Sequence, residues 1–217
     1  MRSLALILIT SIFVFTGCCN DCANTFIIQG YVLSNSGGSP CADFDVKLEH
    51  KIIESGSFND FYQDAAETTT DNTGFYYMEF DRETALAYRI SIEEEGWFPV
   101  LNEISPDLFA PDAPLDYDVI TTPRADIDIV VFNAPPSYAE DKIIVRLLKD
   151  FEEYSTCDTE WRAYLGANVD STWSCIIPGD IYMPYISVDQ TDPENEIEIE
   201  DSVFCPAFET TEINIIY

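Results

Sequence analysis

The chain has 217 residues, with 40 Asp and Glu against 10 Lys and Arg, a net charge of −30. It lacks the cationic surface that phosphate binding needs, which excludes nucleic acid as a partner. Hydrophobic residues still make up 47% of the chain, enough to build cores and to argue against disorder; the acidity is read as a solvated exterior, with a cationic partner as the sharper alternative.

Residues 1–17 have the composition of a targeting segment. Arg2 supplies a positive start, and Leu4 to Phe15 is an apolar run too short for a comfortable transmembrane helix. It ends in Phe15-Thr16-Gly17-Cys18, which resembles the lipobox of bacterial lipoproteins. That resemblance implies cleavage before Cys18, acylation of its thiol and a membrane-anchored envelope protein, with the outer membrane favoured and the face open. Phe15 departs from the usual Leu, and Cys19 offers a competing cut. An ordinary secretory peptide, with cysteines pairing in disulfides, is the alternative.

Beyond a short linker over 18–23, the alternation of Phe26 to Val32 predicts a strand, closed by the turn residues Ser34 to Pro40. Val46 to His50 alternates again. Thr68-Thr69-Thr70 and Phe75 to Phe80 flank Asp71-Asn72-Thr73-Gly74, which predicts a β-hairpin with Gly74 in the left-handed conformation. Tyr88 to Ile92 and Asp116 to Thr121 are two more strands. Three motifs here resemble the carboxypeptidase regulatory-like domain, a transthyretin-like β-sandwich common in exported proteins of Bacteroidetes: Ile28-Gln29-Gly30-Tyr31-Val32, Val46-Lys47-Leu48 and Thr69-Thr70-Asp71-Asn72-Thr73-Gly74-Phe75. The resemblance covers about residues 24 to 121. It implies a first sandwich over 24–122 acting as an accessory module, with no catalytic residues to transfer.

Thr122-Pro123 is the expected joint. The second half, 123–217, alternates over Ala125 to Val131, Lys142 to Leu148, Thr172 to Ile177, Ile181 to Val188, Glu196 to Cys205 and Thr211 to Tyr217. It is therefore read as a second β-sandwich, Ig-like or related, and not as an obvious repeat of the first. In Glu196-Ile197-Glu198-Ile199-Glu200 the isoleucines take one face and the acids the other, as in a half-buried strand. The fold class is thus all-β, two consecutive sandwiches.

If Cys18 carries lipid, Cys19, Cys22, Cys41, Cys157, Cys175 and Cys205 remain. An even number suits disulfides, and Cys175 with Cys205 is the expected pair because both lie in strand-like segments. Cys19 and Cys22 form a lone CxxC without the further ligands zinc would need. The single histidine, His50, lies at a strand end without a nucleophile-elbow pattern. Carboxylates are too abundant for any pair to signal glycoside hydrolysis. Asp189, Asp192 and Glu194 offer oxygen ligands for calcium without EF-hand spacing, so a solvated turn is the simpler reading. Trp97, Trp161, Tyr164 and Trp173 are the aromatics placed to contact a ligand, against core packing as the ordinary fate. The sequence supports a non-catalytic module without cofactors, held at a membrane and binding or assembling with envelope proteins. A surface glycan-binding role is the alternative, and a carboxylate-dependent glycoside-processing enzyme is a more distant one.

Overall fold

The computed structural model describes residues 25–54, 57–58, 61–111, 113–151 and 154–217. Cys18, Cys19 and Cys22 lie outside them. The first sandwich runs through β1 (Thr25–Ser34), β2 (Asp45–Glu54), β3 (Ser57–Phe58), β4 (Gln63–Thr69), β5 (Phe75–Asp81), β6 (Ala85–Ile92), β7 (Val100–Ile104), β8 (Leu115–Asp116) and β9 (Val119–Thr121). One sheet has β1 at its centre, antiparallel to β5 on one side and parallel to β8 and β9 on the other. The facing sheet runs β4-β2-β6-β7, with β3 beside β2.

Side chains alternate across each strand, so every second residue enters the space between the sheets. Ile28 and Val32 of β1 and Tyr76, Met78 and Phe80 of β5 face Val46 and Leu48 of β2 and Tyr88, Ile90 and Ile92 of β6. Burying each such side chain contributes about 1.5–3 kcal/mol. A 3-10 turn, Pro106–Leu108, delivers Phe109 to one end of this core. There its ring lies 4.8 Å from Tyr88, 5.3 Å from Phe80 and 5.5 Å from Phe26.

The glycine of the Ile28 to Val32 motif has a steric cause. Between β8 and β9 the chain crosses over β1, and a Cβ on Gly30 would lie 2.1 Å from the Tyr117 carbonyl oxygen. That oxygen accepts from the Tyr76 hydroxyl at 2.5 Å, while Asp118 accepts from the Tyr31 amide. The strand predicted over Asp116 to Thr121 is therefore broken in two at Tyr117 and Asp118.

The predicted hairpin at Asp71 to Gly74 is instead a corner. β4 pairs with β2 and β5 pairs with β1, so the turn carries the chain from one sheet to the other. Asp71 closes it by accepting from the Thr73 amide and hydroxyl and the Phe75 amide, which hold its carboxyl below the usual value. Gly74 has φ +75°, and its missing side chain admits the Val32 carbonyl, whose oxygen would lie 2.7 Å from a Cβ. Turn chemistry specifies a reversal, but whether the two arms pair depends on which partners the sheets offer.

The second sandwich contains β10 (Arg124–Phe132), β11 (Lys142–Leu147), β12 (Arg162–Leu165), β13 (Asp170–Pro178), β14 (Ile181–Asp189), β15 (Ile197–Cys205) and β16 (Thr210–Ile216). Its sheets are β13-β10-β16 and β12-β11-β14-β15. Strand for strand this is the topology of the first: β10 is antiparallel to β13 and parallel to the last strand, as β1 is to β5 and β9. The two halves thus repeat in fold although their corner sequences differ; the second turns through Gly166 at φ +105° instead of an Asp-x-x-Gly turn. Three short strands escaped sequence reading, β3, β7 and β12, and the latter two are only half-buried.

The disulfide joins Cys175 to Cys157, with Cα atoms 5.1 Å apart, and not to Cys205. β13 and β15 are edge strands of opposing sheets on opposite sides of the sandwich, so their cysteines cannot meet. Cys157 lies in the β11–β12 connection, tied alongside β13 by hydrogen bonds between Thr156 and Ile176. Cys41 and Cys205 are free and buried, and burial raises both thiols above their usual value, which suppresses the reactive thiolate.

Two outcomes follow. Gly30→Ala should lower stability by about 1–3 kcal/mol through overpacking against Tyr117, measured by urea unfolding. Reducing the Cys157–Cys175 bond, which closes a loop of sequence separation 18, should cost about 3 kcal/mol in the same assay.

Candidate functional site

Strand direction organises the molecule. β9 ends at the same end of the first sandwich as β1, and β10 begins the second one only three residues after Thr121. Around this joint Phe98 donates its amide to the Thr122 carbonyl, and Arg124 donates to that of Gly96. Trp97 packs edge-on against Phe44 at 5.1 Å and against Phe208 of the second sandwich at 5.3 Å. Phe98 meets Tyr154 at 5.5 Å, with the Arg124 guanidinium over its ring. Across the same seam the Ser36 hydroxyl donates to Asp180 at 2.6 Å. Asp180 also accepts from the Ala207 amide, and the two bonds hold its carboxyl below the ordinary range. Gly179 is required here, since a Cβ would lie 2.5 Å from the Ala207 Cα. The sandwiches are thus fastened end to end.

At the opposite end of the second sandwich the seam between the sheets is open. β15 pairs only with β14 and β16 only with β10 among the described residues, so two strand edges face each other without a partner. Between them lies a groove of about 240 Å³ lined by Ile197, Ile199, Ile215, Tyr185 and Tyr217 together with the polar Ser187, Asp189 and Asn214. Ile197 is 58% exposed and Ile199 53%. This corrects the half-buried strand expected from their alternation: both point toward the seam, but no core reaches them. The Tyr217 hydroxyl, raised above its usual value by burial and by Asp141 and Asp189, has no hydrogen-bond partner. Glu198 and Glu200 stand on the outer face of β15, exposed and forming no ion pair among the described residues.

The corresponding end of the first sandwich shows what is missing. Its loop from Glu93 to Pro99 carries Trp97, which packs on that core, and Phe98. The equivalent loop, Gln190 to Glu196, has Pro193 as its one apolar side chain and no aromatic to fold over the seam. That contrast was available in the sequence, but only the shared topology reveals which loops to compare.

The aromatics singled out from sequence separate. Trp97 serves the joint. Tyr164 and Trp173 pack against the second core, and the Arg162 guanidinium lies 4.1 Å from the Trp173 ring centre. Trp161 is 42% exposed with Arg146 stacked 4.5 Å over it. Each of these rings therefore has a residue against it, and none of the four is a bare stacking platform. In the acidic loop Asp189 accepts from the Thr191 amide, and Asp192 accepts from the Glu194 amide and the Asn195 side chain. Glu194 is exposed, and no three metal-ligating side chains converge among the described residues. These carboxylates tie their own turn. His50 lies inside β2, not at its end, buried beside Tyr88 with Nε2 4.0 Å from Glu83.

A polar groove on the outer face of the β4-β2-β6-β7 sheet centres on Arg89, bound by both oxygens of Glu49 at 2.8 and 2.9 Å and stacked 3.9 Å from the Tyr62 ring centre. Burial and the hydrogen bond to Glu103 push the Tyr62 hydroxyl up to about 12. Its central cation is thus paired internally with Glu49.

No protein-family model and no curated protein matches the chain. Among solved structures it is similar to the Bacillus anthracis TIE protein, at 8% identity and TM-score 0.39 over 89% of this chain and 34% of that one. The shaft pilin SpaA of Lactobacillus rhamnosus GG shares 10% identity at TM-score 0.35, covering 88% and 97%. Catechol 1,2-dioxygenase from Acinetobacter sp. ADP1 shares 13% at TM-score 0.35, covering 48% and 54%. The chain thus spans about a third of the first and about half of the dioxygenase. These likenesses are low, and the all-β, two-sandwich class stands on the strand pairing itself.

The joint has a pH signature. A carboxyl depressed in the folded state contributes stability above its unfolded value of about 3.9, and that contribution fades as pH falls through the folded value. Acidification below about pH 4 should therefore loosen the Asp180 contact, modestly because the pair is exposed. Residual dipolar couplings comparing the two sandwiches should detect it, and Asp180→Asn should show the same loosening at neutral pH.

Proposed function

We propose that the chain is a lipid-tethered, non-catalytic module of the bacterial envelope that binds or assembles with a partner at the far end of its second sandwich. The observation that carries this reading is the placement of the open groove. Strands of about ten residues span roughly 33 Å, so two sandwiches in line would hold the groove about 60 Å ahead of Thr25 and of the Cys18 motif that precedes it. The fastened joint supports the same reading, because a spacer that transmits position must not bend freely. Arg2, the apolar run to Phe15 and Thr16-Gly17-Cys18 support the tether, with the outer membrane favoured. Several acyl chains on one cysteine would make that tether durable where one alone is marginal. The glycan version has less support, since every tryptophan ring already has a neighbour on it.

Cys18→Ser should move the protein from the membrane fraction to the soluble one; unchanged membrane association would refute the tether. A photo-crosslinker placed at Ile199 in cells should recover an envelope protein that the same probe at Tyr31, on the first sandwich, does not. Equal recovery from both positions, or none from either, would count against a partner at this end.

A further inference from the structure

Resting on the binding-module reading, we propose that the seam between β15 and β16 accepts an extended segment of a partner protein, basic and amphipathic, as an added strand on β15. Three properties of one edge point to this occupant. The backbone of β15 has one side paired to β14 and, among the described residues, no strand on the other, which is the template that strand addition uses. Its inward side chains, Ile197 and Ile199, form an apolar row with Tyr185, Ile215 and Tyr217 across the groove. Its outward side chains, Glu198 and Glu200, form an acidic row without an ion pair among the described residues. A strand laid beside β15 presents its side chains to the same two faces by the two-residue period of β structure. Every second residue of the guest then enters the groove and should be apolar; the intervening residues stand beside Glu198 and Glu200 and should be Lys or Arg. The free Tyr217 hydroxyl offers a hydrogen bond at the floor of the seam.

Charge also decides against the simplest competitor. A second copy would bring another net charge of −30 and the same glutamates to the edge, and like charges directly opposite in paired strands destabilise. The first sandwich provides an internal comparison: at its equivalent end Trp97 lies over the core and the second sandwich stacks on it, so that end is filled. The same fold thus has one end covered by its own chain and one end uncovered.

The test uses the purified full-length protein, with its anchor in detergent, and a labelled nine-residue peptide alternating Val and Lys. Controls are a peptide of identical composition with the valines grouped, an alternating Val and Glu peptide, and the alternating Val and Lys peptide N-methylated on the backbone amides that would face β15. Fluorescence anisotropy should show the alternating basic peptide binding at least about tenfold tighter than all three controls, the order expected for burying a Val-sized side chain. Hydrogen exchange should show new protection confined to Ile197–Phe204. Ile199→Glu should remove that preference, while Glu198→Lys with Glu200→Lys should shift it toward the acidic peptide; thermal melts establish that both variants fold. Equal binding of the grouped or N-methylated peptide would reduce the interaction to charge adsorption and overturn the proposal. Protection of β15 that rises with protein concentration alone would make the occupant a second copy and overturn it as well. If the peptides fail while a crosslinker at Ile199 still captures an envelope protein, the strand-addition proposal falls and the binding-module reading stands.

Discussion

In each sandwich the last strand runs parallel to the first, and most of the molecule's organisation depends on that pairing. Antiparallel neighbours would return the chain to the end where it entered; a parallel first and last strand make it enter at one end and leave at the other. Val32 to Ser34 beside Val119 to Thr121, and Asp126 to Phe132 beside Thr210 to Ile216, are the two places where this happens. A second domain attached through two residues, Thr122 and Pro123, then has no choice but to stack on the far end of the first.

Close stacking has local costs that are visible in particular residues. Asp180 and Phe208 adopt positive φ, 58° and 65°, where side chains are rarely found. Both are compensated at the joint: Asp180 by the Ser36 hydroxyl and Ala207 amide, Phe208 by the Trp97 ring. The strain is local and the compensation comes from the other domain or the neighbouring loop. Such contacts fix the orientation of one sandwich on the other.

The two open ends of the fold are handled differently. At the lower end of the first sandwich Phe109 enters among Phe26, Phe80 and Tyr88; at its upper end Trp97 does the same with Phe44. The second sandwich receives a disulfide on its β12–β13 side and, among the described residues, no covering aromatic on its β15–β16 side. An apolar row left at a free edge is a liability for aggregation unless something manages it. Here the exposed glutamates on the outer face of β15 and the net charge of −30 oppose pairing with an identical chain.

The alternation of Phe26 to Val32, Tyr88 to Ile92 and Ala125 to Val131 was enough to establish an all-β chain, because a two-residue period is a local property of sequence. Asp71 and Gly74 likewise announced a reversal, since their side chains and dihedral freedom act within one turn. Sheet membership was not legible: the same turn would serve a hairpin or a corner, and the partner strand, β1 or β2, lies tens of residues away. For the same reason Cys175 found Cys157 and not Cys205, and Ile197 and Ile199 ended exposed although their pattern is that of a core-facing strand. Periodicity tells which way a side chain points, and only the tertiary arrangement supplies, or withholds, the surface it points at.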